Sequence, residues 1–233
     1  MNQIQFKIIK KKKEESKLEK FQNKRLENKL WTKITKPLWP IERNYMKINP
    51  NLFDLKNIKK EIQNLDIIWI NKDIITNNWE SLTLKSQYGE EQSFLKKTNF
   101  SNYIYTNIIE KLPSIKNLLE SIPTDIYLVR LLKLKRGGKI KFHTDEEVFK
   151  KNNQIIRVHL PIFTHPKVIF QIGYPIQSPA KGFNIWNAEV LYETHLHEGY
   201  LYYTNVNTLH SVVNNSLIDR IHLVIDMKPF FKL

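Results

Sequence analysis

The sequence contains no cysteine. That absence removes disulfides, thiolate metal sites and cysteine nucleophiles, so any bound metal must be held by nitrogen and oxygen ligands. No run of about 18 apolar residues is present to cross a bilayer, and the N-terminus has no apolar stretch of the kind that directs secretion. The expectation is a soluble, cytoplasmic protein. Glycine is scarce, with six in 233 residues, and five of the six follow residue 136. Arginine is scarce as well, six against 31 lysines. Histidine is missing from the first 142 residues, and all seven (143, 159, 165, 195, 197, 210, 222) fall in the next 80.

The charge that is present is unevenly placed. The net charge is +14, which raises the question of a nucleic-acid partner. Residues 1–36 hold eleven Lys and Arg25 against four Glu, so this segment alone supplies +8, centred on Lys10–Lys13. The lysine, asparagine and isoleucine bias reads as AT-rich coding, and the tail reads as a solvated segment, with a polyanion-contacting arm as the alternative. In a chain that writes positive charge as lysine, an arginine marks a place needing a planar, bidentate cation. Four of the six, Arg130, Arg136, Arg157 and Arg220, lie between residues 126 and 227.

The spacing predicts a mainly β chain with a helical N-terminal part. Residues 1–36 form a basic tail or helix, and 37–124 a helical support region entered through Pro37, Pro40 and Pro50. In that region Phe53–Leu65 has helical spacing, Ser81–Ser86 alternates as a short strand, and Ile104–Ile122 reads as helical with Pro113 starting a second helix. From residue 125 to 233 short β-type runs follow without helices: Ile126–Lys135, Lys139–Phe142, Ile155–Phe163, Val168–Ile172, Phe183–Trp186, Tyr200–Thr204, Ser211–Val213 and Ile221–Met227. Eight such strands predict an all-β sandwich or jelly roll.

Three features carry chemistry. His143-Thr144-Asp145 follows the turn Arg136-Gly137-Gly138, and residues two apart on an extended chain face one side, so both side chains can reach one ion. His210 is a second imidazole; two histidines and a carboxylate make the facial set that leaves positions open on Fe(II). The alternative for each is a turn or loop residue. Arg157-Val-His159 and Arg220-Ile-His222 repeat one pattern, with Arg and His on one face and apolar residues on the other. Such strands either line a polar cavity or present a wet outer surface. His165, in a turn before Pro166, reads as structural, and His195-x-His197 as a connector pair.

From Tyr127 to Asp226 the chain resembles the aspartyl/asparaginyl β-hydroxylase family of Fe(II)- and 2-oxoglutarate-dependent oxygenases, which includes bacterial proline hydroxylases. The resemblance rests on Val129-Arg-Leu-Leu-Lys-Leu-Lys-Arg-Gly-Gly138 leading to His143-Thr144-Asp145. It continues through Arg157-Val-His-Leu-Pro-Ile-Phe-Thr-His-Pro166 and Gly199-Tyr-Leu-Tyr-Tyr-Thr-Asn-Val-Asn-Thr-Leu-His210. Val213-Asn214 and Asp219-Arg-Ile-His-Leu-Val-Ile-Asp226 complete it. It implies a double-stranded β-helix (jelly-roll, cupin-like) core over 125–233, with His143, Asp145 and His210 as metal ligands and catalytic centre. Arg220 would hold the distal carboxylate of 2-oxoglutarate, and Arg157 and His159 would line the same pocket. The implied cofactors are Fe(II), 2-oxoglutarate and O2. The implied reaction hydroxylates an amino-acid side chain, free or within a peptide or protein, while 2-oxoglutarate becomes succinate and CO2. A non-enzymatic jelly-roll module with a basic arm for nucleic acid is the competing reading.

Overall fold

The computed structural model describes residues 53–71, 78–91, 101–122, 124–145, 155–177, 186–204, 206 and 208–228. The basic tail and the stretch holding Pro37, Pro40 and Pro50 lie outside the described residues. Two short helices come first. Helix α1 (Leu55–Gln63) is capped by Asp54, whose carboxylate accepts from the Asn57 amide at 3.0 Å, satisfying one of the donors a helix start leaves open. It buries Ile58 and Ile62, one turn apart. Helix α2 (Pro113–Ser121) begins on proline, where the missing N–H costs nothing, and buries Ile115, Leu118 and Leu119. Glu61 of α1 ties the two together by accepting from the Ser114 amide and hydroxyl.

The strands form two antiparallel sheets. The larger has seven: β1 (Ile70–Asn71), β2 (Trp79–Gln87), β4 (Ile126–Leu134), β11 (Arg220–Met227), β6 (Ile156–Phe163) and β9 (Tyr202–Thr204) in that order, with β3 (Tyr103–Tyr105) also on β2. The smaller runs β5 (Lys139–His143), β10 (His210–Asn214), β7 (Val168–Gln177) and β8 (Asn187–Thr194). This is the expected jelly-roll pair.

Strand alternation gives the large sheet two different faces. One face presents Leu82, Leu84, Val129, Leu131, Val158, Leu160, Leu223 and Ile225, which pack with the helix residues in a single apolar core. Burying each such side chain contributes about 1.5–3 kcal/mol. The other face turns toward the small sheet. In register across it stand Ser81 and Thr83 on β2, Arg130 on β4, His222 and Asp226 on β11, Arg157 and His159 on β6, and Thr204 on β9. All but His159 are fully buried, and His159 is half-buried. A smaller apolar cluster around Leu134, Val168, Phe170, Ile172, Leu196, Tyr202 and Val212 closes the sandwich beside this polar surface.

Three readings of the sequence are corrected. Ile104–Ile122 is not helical throughout: it opens as β3, passes through a 3₁₀ turn at Asn107–Lys111, and becomes α helical only at Pro113. Ile104 is more than half exposed and Tyr105 pairs with Lys85 of β2, so edge pairing overrides helical spacing there. The strand expected at Phe183–Trp186 lies instead at Asn187–Thr194, with Trp186 just before it and 183–185 outside the described residues. Half of its side chains are exposed, Glu189 and Glu193 among them, and none is fully buried, as suits an edge strand, so it lacks the apolar alternation that marks a half-buried strand. Finally, the region before residue 125 supplies β1, β2 and β3, so the large sheet runs across the boundary drawn there.

Gly173 of β7 is a packing requirement. A Cβ there would sit 2.6 Å from the Phe142 ring and 3.1 Å from Ala188, and Phe142 precedes His143. We predict that Gly173→Ala costs about 1–3 kcal/mol by overpacking, measured by urea unfolding; wild-type stability in the variant would contradict this packing.

Candidate metal centre and its buried polar cleft

His143 ends β5 and His210 begins β10, and these two positions are direct partners across the small sheet. The chain leaves β5 through Thr144 to Asp145, whose amide donates to the Val206 carbonyl at 2.9 Å. The donor atoms of His143, Asp145 and His210 all lie within 4.8 Å of one another, the one group of three or more such residues able to hold a metal among the described residues. His143 Nε2 is 3.4 Å from Asp145 Oδ1, and the imidazole centroids of His143 and His210 are 4.3 Å apart.

Both imidazoles are held in one tautomer. A carbonyl can only accept, so Nδ1 of His143 donates to the Lys141 carbonyl at 2.8 Å and Nδ1 of His210 to the Thr208 carbonyl at 2.9 Å. Each Nε2 is therefore the ring nitrogen left to face a cation. His210 is buried, stacked against Phe170, and desolvation with His143 nearby pushes its pKa down to about 4. Against desolvation, Asp145 beside Nε2 raises the pKa of His143, and a cation bound there would take the place of that proton; two imidazoles and an ionised carboxylate are the donor set that suits a divalent first-row ion such as Fe(II).

Asp145 is fixed from its other side by Arg157. Arg157 donates through Nη1 to Asp145 Oδ2 and through Nε and Nη2 to the two oxygens of Asp226 at 2.6 and 2.8 Å. Burial opposes ionisation of Asp145, yet Arg157 and His143 hold its carboxyl well below the usual range. One oxygen of Asp145 is thereby committed to Arg157 and the other faces His143. Asp226, wholly buried and in register opposite Arg157, was not singled out as a site residue. The signal was there: it continues the parity of Arg220 and His222 along β11.

Deeper in the sandwich lies Arg220. The preceding loop is stapled to the Arg136–Gly138 turn: Asp219 accepts from the Arg136 amide, and Asn214 Nδ2 reaches the carbonyls of Leu134, Lys135 and Ile218. Arg220 is 2 % exposed and meets His222 Nδ1 at 2.6 Å through Nη2. Its Nε has no partner, and burial pushes its pKa down to about 9. The repeated Arg-x-His strands thus line a buried cleft and not an outer surface. His159 lies 5.8 Å from His222, ring to ring, and feels the charges of Arg220, Arg157, His210 and Asp145. It sits between the metal triad and Arg220 with both ring nitrogens unpartnered.

Unpartnered buried polar atoms gather on this one face: Ser81, Thr83, Arg130, His159, Thr204, Arg220 and His222 all contribute. Each costs on the order of 1–3 kcal/mol when left unsatisfied. A polar, anionic ligand would satisfy them, so the cleft fits a dicarboxylate. Among the remaining histidines, His165 accepts from the Lys167 amide within its turn and His195 bonds the Val168 carbonyl against His197. These are structural contacts, as expected.

Desolvation first, then the neighbouring arginines, hold His159 and His222 neutral with pKa values well below 6.5. Below pH 6.5 the unfolded chain therefore binds more protons than the native one, and stability falls with acidification. We predict a loss approaching about 1.4 kcal/mol per pH unit per histidine below that point, and His159→Gln should flatten the dependence in pH-resolved urea unfolding. An unchanged slope would contradict burial of the neutral ring.

No curated protein sequence matches the chain. Among solved structures it is similar to a 2OG-Fe(II) oxygenase family oxidoreductase from Burkholderia pseudomallei, at 14% identity over 75% of this chain and 78% of that one, TM-score 0.46. It is similar to HygX from Streptomyces hygroscopicus, solved with nickel, 2-oxoglutarate and hygromycin B, at 10% identity over 84% and 88%, TM-score 0.45. A cupin domain from Bordetella pertussis aligns at 16% identity over 47% and 88%, TM-score 0.29. The family model for aspartyl/asparaginyl beta-hydroxylase matches residues 42–229, which is most of the chain and contains every residue of the cleft. The chain belongs to the aspartyl/asparaginyl β-hydroxylase family of 2-oxoglutarate-dependent oxygenases.

Proposed function

We propose that this protein hydroxylates an amino-acid side chain, using Fe(II) held by His143, Asp145 and His210 and 2-oxoglutarate held by Arg220. The observation that carries the reading is the convergence of those three donors beside a polar sheet face that buries Arg220, which forms no ion pair among the described residues. When bound, Fe(II) with 2-oxoglutarate and O2 supplies the oxidising chemistry that places a hydroxyl on an unactivated C–H bond while the cosubstrate becomes succinate and CO2.

The chain's own residues bind, orient and exclude water. Arg220 presents a buried guanidinium to a carboxylate, where a charge-assisted hydrogen bond is about twice as strong as a neutral one. His222 accepts from Arg220 and fixes the plane of that guanidinium. His159 remains neutral and offers a ring nitrogen to the cosubstrate without adding positive charge. Arg157 acts as a positioning residue: three of its nitrogens are committed to Asp145 and Asp226. Leu134, Val212 and Tyr202 close the lower part of the sandwich against water.

The reading of a nucleic-acid module is not favoured. Its basic arm lies outside the described residues, and such a module has no use for the donor convergence. None of the described helices is long and apolar enough to cross a membrane; the substrate we propose is a free amino acid or a residue in a peptide.

We expect His210→Ala to abolish both succinate formation and tight Mn(II) binding measured by calorimetry. Wild-type metal affinity in that variant would overturn the ligand assignment. Arg220→Met should weaken 2-oxoglutarate binding roughly ten- to hundredfold by removing a charge-assisted contact while leaving Mn(II) affinity within about twofold. Undiminished 2-oxoglutarate affinity would refute the role given to Arg220.

A further inference from the structure

Asp226 has no direct part in the chemistry above. It lies near the end of β11 with no exposed surface, and it is not one of the three donors that converge at the candidate metal centre. Among the described residues its carboxylate accepts hydrogen bonds from Arg157 alone. Stability is a weak reason for such a pair. Two buried charges give up their hydration, and apolar side chains of similar volume serve a core as well or better. The apolar face of the same sheet already supplies the driving force for folding. The placement of the pair, one guanidinium away from a metal ligand, points to a different role.

The two carboxylates receive unequal shares of Arg157. Asp226 takes the edge formed by Nε and Nη2, one nitrogen on each oxygen, at 2.6 and 2.8 Å. Asp145 takes Nη1 alone, on Oδ2, and its Oδ1 stays turned toward His143 Nε2 at 3.4 Å. A guanidinium favours two parallel bonds to one carboxylate. Stripped of the Asp226 charge, Arg157 would keep Asp145 as its carboxylate partner and would be free to close on both of its oxygens. A metal ion would then compete with an arginine for the same ligand. We infer that Asp226 is a positioning residue for the metal site: by occupying two nitrogens of Arg157, it limits that guanidinium to one oxygen of Asp145 and leaves the other for the metal. The inference rests on the reading of His143, Asp145 and His210 given above. Strand register decides the contest, because Asp226 stands directly opposite Arg157 across β11 and β6.

Calorimetric titration of Mn(II) into the full chain tests this. Asp226→Asn should weaken Mn(II) binding roughly ten- to hundredfold, the range in which groups behind a metal ligand act; Asp226→Ser takes its place should the amide not fold. Asp226→Glu keeps the charge and should recover most of the affinity. The decisive variant is the double one, Asp226→Asn with Arg157→Gln, which removes both members of the pair and so strands neither. With no arginine left to claim Asp145, it should bind Mn(II) within about fivefold of wild type, a non-additive recovery of the kind that coupled residues show. A merely structural role for the pair requires the reverse, a double variant at least as weak as the single one. In an Asp145→Ala background, Asp226→Asn should have no further effect on Mn(II) affinity. Wild-type affinity in the single variant, a double variant no tighter than the single, or a further loss in the Asp145→Ala background would overturn the inference. Failure of the wild-type chain itself to bind Mn(II) would instead defeat the reading of the three donors as a metal centre, and this inference with it.

Discussion

Arg157 holds two buried carboxylates at once, and the working geometry of the cleft depends on it. Asp226 has no exposed surface; without Arg157 it would be an unpaired buried charge, a situation that costs about 3–5 kcal/mol. With Arg157 in place, the same guanidinium reaches forward to Asp145 and aims its other oxygen toward His143. Strands β6 and β11 are therefore coupled electrostatically to the loop after β5, which belongs to the other sheet. Arg157 thus joins the two sheets at the candidate metal centre.

The large sheet divides stability from chemistry between its two faces. Its helix-covered face is apolar over the core, with Glu80 and Lys133 ion-paired at one end, and supplies the hydrophobic driving force. Its inner face buries arginines, histidines and hydroxyls, several without partners, and each of these subtracts from stability. A sheet can carry that load only because strand alternation lets every strand serve both faces. Arg157 and Val158, or His222 and Leu223, are chain neighbours with opposite roles.

Much of this was legible before the fold was known. The Arg-x-His repeats, the His143–Asp145 spacing and the clustering of histidine in the C-terminal 91 residues all survive in the structure. The inside or outside placement of the repeated strands was not legible, because alternation has the same period whichever face is wet. The clamp on Asp145 was invisible too: Asp226 and Arg157 are 69 residues apart, and pairing across that distance is set by strand register. Strand β8 escaped detection because an exposed edge strand needs no apolar alternation, and β3 because three residues are too few to show a period.

What the amino-acid sequence determined by itself is the chemical inventory. Lacking cysteine, it confines metal binding to histidine and carboxylate, and its sparing use of arginine marks the positions where a rigid bidentate cation is required. Local spacing also decides which residues share a face of one strand, since that is a property of the backbone alone. Which strands lie side by side, and so which charges meet, only the tertiary structure decided. Register between distant strands places Asp226 against Arg157 and gives Arg130 no ion pair among the described residues, and register follows from packing of the whole apolar face, not from any local pattern.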